Sequence, residues 1–145
     1  MSDSTIAVLV AGSGVMGKGI ALSFARAGLK TAILSRNPDA VSGVEPGVDV
    51  LGALPEAAPE LIIETIPEVM DLKLELNAQI EAAYQGNTII ASNTSSLPLQ
   101  TLADALLYPA KFCGMHYFQP ADVTPIVEVA AVAQSDEATI QKALS

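Results

Sequence analysis

The feature that most constrains this 145-residue chain is a glycine-rich stretch, GSGVMG, at residues 12–17. It follows a continuous aliphatic run, IAVLV at 6–10, which is typical of a parallel strand covered on both faces. From Val15 onward apolar side chains recur at helical spacing, and Gly28 is suited to end that helix. A second strand, KTAILS at 30–35, completes a β-α-β unit.

The order of strand, glycine turn and helix is the setting in which such glycines bind a dinucleotide. Gly12 permits the tight turn, Gly14 lets the backbone approach a pyrophosphate, and Gly17 allows close packing of helix on strand. The helix begins with Val15 and Met16, and its free N–H groups and positive dipole end would face the phosphates. The alternative is that the glycines serve only a tight turn, but the surrounding elements favour dinucleotide binding.

The rest of the chain continues to alternate strands and helices. Apolar runs predict further strands at 61–66, 87–92 and 112–118, a weak strand in VDVL, and a last strand in TPIVEVAAV. Helices are predicted from Pro67 to Tyr84, over LQTLADALL, and from Ser135 onward. The alternation predicts one α/β domain over residues 1–145, with a Rossmann-type, doubly wound and mostly parallel sheet.

The composition suits such a domain and disfavours several other classes. Half of the residues are apolar and 16% are charged, which favours a compact core over disorder. The single cysteine, Cys113, permits no intrachain disulfide and fits a reducing compartment, so we expect a cytoplasmic location. The net charge of −9 disfavours nucleic acid as a partner. We expect neither a membrane span nor a metal ion.

A second group of polar residues, SNTSSLP at 92–98, directly follows a predicted strand. Small polar side chains at the carboxyl end of a parallel strand lie at the crevice where such sheets bind ligands. The competing interpretation is a helix N-cap supplied by Ser95 or Ser96. Because a cap needs only one such residue, we favour a binding role for this segment.

A third group, IETIPEVMDLK at 63–73, carries charged residues beyond the end of another strand. Glu68 follows Pro67 at the mouth of the predicted sheet, where it is placed to meet a ligand. Charges near a helix are usually solvated, and we interpret Glu64 and Asp71 as solvated surface charges.

The only histidine, His116, lies in GMHYFQPADVTPIVEV at 114–129, and Glu128 follows it twelve residues later. A lone histidine among apolar residues is commonly a hydrogen-bonded core residue. A histidine with a carboxylate partner can instead act as acid and base, because the carboxylate fixes its tautomer and raises its basicity. The residues alone leave both interpretations open.

Taken in order, these motifs resemble the N-terminal domain of the L-3-hydroxyacyl-CoA dehydrogenase family over essentially the whole chain. The resemblance rests on GSGVMGKGIA, IPEVMDLKLEL, ASNTSSL and GMHYFQPADVTPIVEV. It implies hydride transfer between NAD or NADP and a small-molecule 3-hydroxyacyl substrate such as an acyl-CoA. It makes His116 the catalytic base, Glu128 the carboxylate that holds it, and Ser95 a hydroxyl that bonds substrate oxygen or nicotinamide. The residues that it places along the cofactor site are Glu68, Lys73 and Asn93.

The chain departs from the family pattern in three ways. Gln119 replaces an asparagine that contacts the reacting groups, and a Pro- and Gly-rich segment at 37–60 replaces a helical hairpin that helps to recognise CoA. We also expect the family's helical C-terminal domain, which closes the substrate cleft and commonly carries the dimer interface, to be absent. The chain alone should therefore turn over acetoacetyl-CoA poorly and should self-associate through exposed apolar surface.

Two other functions remain open at this point. One is a stand-alone NAD(P)-binding module that is catalytically silent without a partner domain. The other is a β-hydroxyacid or imine reductase of related fold, but such an enzyme would not be expected to carry the SNTSSL and His–Glu segments.

The end of the second predicted strand bears on the choice between NAD and NADP. NAD-binding units commonly place an Asp or Glu there to hold the ribose hydroxyls, whereas this chain has Ser35 and Arg36. A hydroxyl and a guanidinium suit the 2′-phosphate of NADP, so we predict a preference for NADP. The alternatives are that Arg36 is a solvated turn residue, or that Asp39 neutralises it.

Overall fold

The computed structural model of the chain describes residues 6–41, 47–94, 97–117, 127–132 and 134–139. The strands of the described part are β1 (Val8–Ala11), β2 (Thr31–Leu34), β3 (Asp49–Leu51), β4 (Leu61–Glu64), β5 (Ile89–Ser92), β6 (Phe112–Tyr117) and β7 (Val127–Ala131). The α-helices that it shows in full are α1 (Val15–Arg26), α2 (Met70–Tyr84) and α3 (Leu99–Asp104). Residues 137–139 form a further helical turn.

The strands form one sheet in the order β3-β2-β1-β4-β5-β6-β7. Neighbouring strands are parallel, except that β6 and β7 are antiparallel. The chain starts in the middle of the sheet, moves outward to β3, and then returns to build the other half from β4. In such sheets ligands bind at the carboxyl ends of the strands where the order reverses, here between β1 and β4. The predicted Rossmann-type, mostly parallel sheet is confirmed.

The core has two layers because successive side chains of a strand point to opposite faces of the sheet. In β1, Val10 packs on the face that carries α1, whereas Leu9 packs on the face that carries α2 and α3. Cys113 belongs to the first layer, and burial raises the pKa of its thiol to about 11. Both faces of the sheet are therefore covered, which explains why its strands read as aliphatic runs.

The start of α2 differs from the prediction. The helix begins at Met70, and its N-cap residue Val69 has extended backbone angles. Pro67, predicted to lie in the first helical turn, instead accepts a hydrogen bond at its carbonyl from the Val69 N–H (2.7 Å). The reason is tertiary: the Glu64 carboxylate accepts a hydrogen bond from the Ile66 N–H (2.9 Å), which holds this segment as a loop.

The remaining predicted elements agree with the described residues within the usual uncertainty at element ends. Gly28 follows the end of α1 with φ of +87°, a backbone conformation that favours glycine at a helix end. In the ranges given above, no helix has the length and apolar character needed to cross a membrane.

Candidate functional site

The turn from β1 into α1 is built around Gly12. Its φ is +126°, and a Cβ at this position would collide with the Thr65 hydroxyl. Gly17 is equally confined, because a Cβ there would collide with the carbonyl oxygen of Gly12. The Thr65 hydroxyl donates to the carbonyl of Ala11 (3.0 Å) and so links the end of β1 to the loop after β4. These contacts bring the first turn of α1 close to the sheet.

Gly14, the N-cap residue of α1, is the opposite case. A Cβ added at Gly14 would meet open space. The first N–H groups of a helix lack intrahelical partners. Within the described residues, no side chain caps this end of α1 and its first turn holds no acidic residue. Val15 is 78% exposed there. The end of α1 therefore presents N–H groups and a positive dipole end to an open space, an arrangement that suits an anion.

A cleft of about 730 Å³ opens beside the glycine turn. Its walls come from the carboxyl ends of β1 and β2, the glycine turn, the loops after β2, β3 and β4, and one side of α2. The residues that line it include Gly12 and Gly14 of the glycine turn and Ser35, Arg36 and Asn37, which follow β2. We call it the glycine-turn cleft.

The end of β2 contributes polar donors to this cleft. The Ser13 hydroxyl donates to the Ser35 hydroxyl (3.4 Å), and the Asn37 N–H donates to the same oxygen (3.2 Å). Arg36 is exposed beside them. Asp39 is also exposed, and no ion pair between described residues joins it to Arg36. A hydroxyl and a guanidinium thus stand where NAD-binding units commonly carry a carboxylate.

A second cleft of about 300 Å³ adjoins the first, and Thr65, Ile66 and Pro67 line both. The other residues that line it are Met16, Glu68, Lys73, Asn93, His116 and Tyr117. We call it the histidine cleft. It brings together side chains from four segments that lie far apart in the sequence.

His116 and Glu128 face each other across the antiparallel pair of β6 and β7. Directly opposed residues project from the same face of a sheet, and here His116 Nδ1 lies 3.5 Å from Glu128 Oε1. The histidine side chain is 34% exposed and that of Glu128 is 68% exposed. His116 is therefore a partly exposed residue at a cleft and not a buried core residue.

Asn93 follows β5 directly and is held by hydrogen bonds through both its backbone and its side chain. Its N–H donates to the carbonyl of Glu64 (2.8 Å), and its Oδ1 accepts a hydrogen bond from the N–H of Tyr117 (2.8 Å). The amide is thereby held beside the residue that follows His116. Ser95 and Gln119, which the sequence also singled out, lie outside the described residues.

Glu64, interpreted from the sequence as a solvated surface charge, is fully buried, so that prediction is wrong. It is the last residue of the central strand β4, and α2 covers it. Its carboxylate pairs with the ammonium of Lys73, which is itself 1% exposed, and accepts a hydrogen bond from the Ser92 hydroxyl (2.5 Å). Asp71, given the same interpretation, is exposed as predicted.

Glu68 lies at the rim of the histidine cleft with 38% of its side chain exposed. Its Oε1 is 3.0 Å from Lys73 Nζ, and its Oε2 accepts a hydrogen bond from the Thr94 hydroxyl (2.7 Å). Sequence reasoning gave no role to Ser92, Thr94 or Thr65. The first two lie within the polar segment that it selected, but only the folded chain shows which carboxylate each of them contacts.

The sequence matches the family described as 3-hydroxyacyl-CoA dehydrogenase, NAD binding domain, over residues 7–49 and 51–145. The chain belongs to this family. The match confirms the resemblance predicted from the motifs, and it supports NAD as the cofactor of the domain.

Three solved structures are similar to this chain in both sequence and fold. The dehydrogenase part of multifunctional enzyme 1 from C. elegans is 26% identical with a TM-score of 0.88, over 97% of this chain and 38% of that chain. M. tuberculosis FadB2 is 27% identical with a TM-score of 0.82, over 96% of this chain and 59% of that chain. The (S)-3-hydroxybutyryl-CoA dehydrogenase PaaH1 from Ralstonia eutropha is 27% identical with a TM-score of 0.81, over 96% and 59%. The chain thus spans less than two thirds of each of these proteins.

The residues of this 3-hydroxyacyl-CoA dehydrogenase family member fit a bound dinucleotide. The open space beyond Gly14 is where a side chain would obstruct a pyrophosphate, and the first N–H groups of α1 suit its charge. One of the two adjoining clefts is lined by Ser35 and the other by His116. Their walls are continuous through Thr65, Ile66 and Pro67, so a single elongated ligand can occupy both.

Proposed function

We propose that this chain binds a nicotinamide dinucleotide across the two clefts and forms the cofactor-binding part of an oxidoreductase. The substrate class is a 3-hydroxyacyl compound, such as an acyl-CoA, which is interconverted with its 3-keto form. The observation that carries the proposal is that His116, opposed by Glu128, lies in a cleft that adjoins the glycine turn.

The glycine turn supports a definite orientation of the cofactor. Gly12, Gly14 and the N–H groups of Val15, Met16 and Gly17 would hold the pyrophosphate at the start of α1. The adenosine end occupies the glycine-turn cleft. The nicotinamide end lies in the histidine cleft, where Met16, Glu68, Lys73 and Asn93 form part of the wall.

His116, Glu128 and Ser95 have different roles in the proposed transfer of the proton. A nicotinamide bound in this cleft would supply or accept the hydride that is exchanged with the carbon bearing the substrate oxygen. Because Nδ1 of His116 faces Glu128, Nε2 takes the hydroxyl proton when the alcohol is oxidised and returns it when the ketone is reduced. The Glu128 carboxylate keeps a proton on Nδ1 and stabilises the imidazolium. Ser95, on the resemblance alone, is proposed to hydrogen-bond the substrate oxygen.

We propose a further domain or a second copy of the chain as the part that closes the substrate cleft. The support is that each similar structure extends well beyond the region matched by this chain. The proposed substrate is a small molecule, and we propose no role for nucleic acid or a membrane. A cytoplasmic location is a prediction from the composition.

We also propose that NADP is preferred over NAD. The support is the set of donors at the end of β2, where Ser13 and Asn37 surround the Ser35 hydroxyl and Arg36 is exposed. A 2′-phosphate accepts hydrogen bonds from hydroxyls and from a guanidinium, whereas a carboxylate at this point would repel it.

Calorimetric titration of the chain with NADH and NADPH tests the proposed function. We expect one binding site for each nucleotide and tighter binding of NADPH. A folded chain that binds neither nucleotide would contradict the proposal as a whole, and tighter binding of NADH would contradict only the preference for NADP.

A further inference from the structure

We infer that Glu64 is a positioning residue for the nicotinamide half of the cofactor, acting through Lys73 on Ile66 and Glu68. The inference rests on the proposed function and adds a role for a residue that does not line either cleft. It follows from three contacts that converge on one buried carboxylate.

Both oxygens of the Glu64 carboxylate are occupied by groups of the chain. Oε1 accepts a hydrogen bond from the Ser92 hydroxyl (2.5 Å). Oε2 accepts one from the Ile66 N–H (2.9 Å) and one from the Lys73 ammonium. A fully buried carboxylate needs such partners, because removing a charge from water is costly unless it is paired and hydrogen-bonded. Glu64 thus ties together the ends of β4 and β5, the following loop and α2.

Lys73 uses each of its three N–H donors inside the protein. The acceptors are Glu64, the carbonyl of Ile66 (3.1 Å) and Oε1 of Glu68 (3.0 Å). Because these contacts consume the donors and the side chain is 1% exposed, Lys73 acts mainly by fixing the groups that it holds. The Ile66 backbone and Glu68 both belong to the wall of the histidine cleft.

Glu68 is the group through which this arrangement reaches the cofactor. Lys73 and Thr94 orient its two oxygens, and 38% of the side chain stays exposed at the cleft. A carboxylate has about four lone-pair sites, so the exposed edge can still accept hydrogen bonds from the hydroxyls of a ribose. Without Lys73, the carboxylates of Glu64 and Glu68 would repel each other, and Glu68 would leave this position.

The charge balance dictates which variants are informative. Removing only one partner of a buried ion pair leaves an uncompensated charge and strongly destabilises the fold. Glu64→Gln keeps the shape of the side chain but loses its charge. The double variant Glu64→Gln/Lys73→Met removes both charges, so it keeps the experiment interpretable if the single variant fails to fold.

The experiment compares NADH with ADP, which lacks the nicotinamide and its ribose and therefore reports on the glycine-turn cleft. Both ligands are titrated by calorimetry into the native chain and into the single and double variants, and the fluorescence of bound NADH is recorded. We expect each variant that folds to lose about tenfold or more of its affinity for NADH, as removal of a charged hydrogen bond predicts. Affinity for ADP should change less than about twofold, because Ile66 is the only described residue bonded to the Glu64 or Lys73 side chain that also lines the glycine-turn cleft.

Asp71→Asn is the matched control, because it neutralises an exposed acid of the same helix that makes none of the contacts described above, and it should leave both affinities unchanged. An equal loss for NADH and ADP would assign Glu64 a merely structural role and overturn the inference. An unchanged NADH affinity in a folded double variant would also overturn it. If the native chain bound neither ligand, the proposed function would fail, and the inference would fail with it.

Discussion

At the scale of single residues, the proposed chemistry depends on which nitrogen of His116 faces the carboxylate. The Nδ1 atom lies 3.5 Å from Glu128, and Nε2 is the nitrogen that we propose to act on the substrate. A carboxylate in this position works without touching substrate, since it fixes the tautomer and stabilises the charge that the ring acquires. We therefore expect the two residues to contribute unequally to the rate of the proposed reaction.

The first prediction separates these contributions. His116→Gln should lower turnover by about 10²–10⁴-fold, the usual contribution of a positioned acid–base group. Glu128→Gln should lower it less, because the ring can still transfer the proton. The measurement is NADH oxidation by acetoacetyl-CoA in an assembly that turns over, with NADH affinity as the control. Near-native turnover of His116→Gln would remove His116 from the mechanism.

The second prediction concerns the end of β2. Arg36→Ala should weaken binding of NADPH about tenfold, because it removes a charge-assisted hydrogen bond, and should leave NADH nearly unchanged. Ser35→Asp should shift the preference toward NADH, since a carboxylate holds ribose hydroxyls and repels a phosphate. Dissociation constants for both nucleotides provide the measurement. The reading of this site would be wrong if the native chain preferred NADH and Arg36→Ala left NADPH binding unchanged.

At the scale of elements, two glycines in the turn between β1 and α1 have opposite surroundings. Gly17 has no room for a side chain because the Gly12 carbonyl lies against it, whereas Gly14 faces open space. Gly17 thus serves the packing of the helix on the sheet, whereas the space beside Gly14 at the helix N-terminus is open.

The third prediction uses these two glycines as a matched pair. Gly17→Ala should lower the free energy of unfolding by about 1–3 kcal/mol, because overpacking forces α1 away from the sheet. Gly14→Leu should leave the stability close to native and abolish NADH binding, since the new side chain fills the space beside the helix N-terminus. Urea denaturation and calorimetry measure the two effects. Full NADH affinity in Gly14→Leu would contradict the location proposed for the pyrophosphate.

The elements themselves were largely predictable from the sequence, whereas their contacts were not. Aliphatic runs and glycines predicted the strands and the β1–α1 turn because these signals are local. The start of α2 was misplaced because Pro67 suits a helical first turn, while the bond from the Ile66 N–H to Glu64 overrides this preference. Glu64 was misjudged for a similar reason. Its partners, Lys73 and Ser92, come from two other segments, and no local pattern reveals that they meet.

At the scale of the whole molecule, the described part of the chain leaves several large apolar side chains in contact with solvent. Val15 and Leu107 are each almost four-fifths exposed, at 78% and 79%, and Val69 is 48% exposed next to Glu68. Val15 is next to Met16 and Val69 is next to Glu68, and both of these neighbours line the histidine cleft. Part of the surface beside that cleft is therefore apolar, as expected of a surface that another domain or chain covers.

The fourth prediction follows from that open face. The chain alone should reduce acetoacetyl-CoA poorly or not at all, because water is not excluded from the histidine cleft. It should also self-associate, which sedimentation measurements would detect. A silent cofactor-binding module would give the same low rate in every assembly, whereas the proposed enzyme should gain activity when a substrate-closing domain is supplied. Robust turnover by a monomer would contradict the expectation for the chain alone.

The antiparallel pairing of β6 with β7 makes the acid–base pair depend on how far the molecule has folded. Glu128 reaches His116 only in the observed register, and a slip of one residue would turn it to the opposite face of the sheet. β7 is the last strand on its side of the described sheet, and strands at an edge open at lower free energy than those in the centre. A molecule in which β7 has detached would keep the glycine turn but would hold a histidine without its carboxylate. The proposed acid–base pair therefore depends on the pairing of one edge strand, whereas the glycine turn does not.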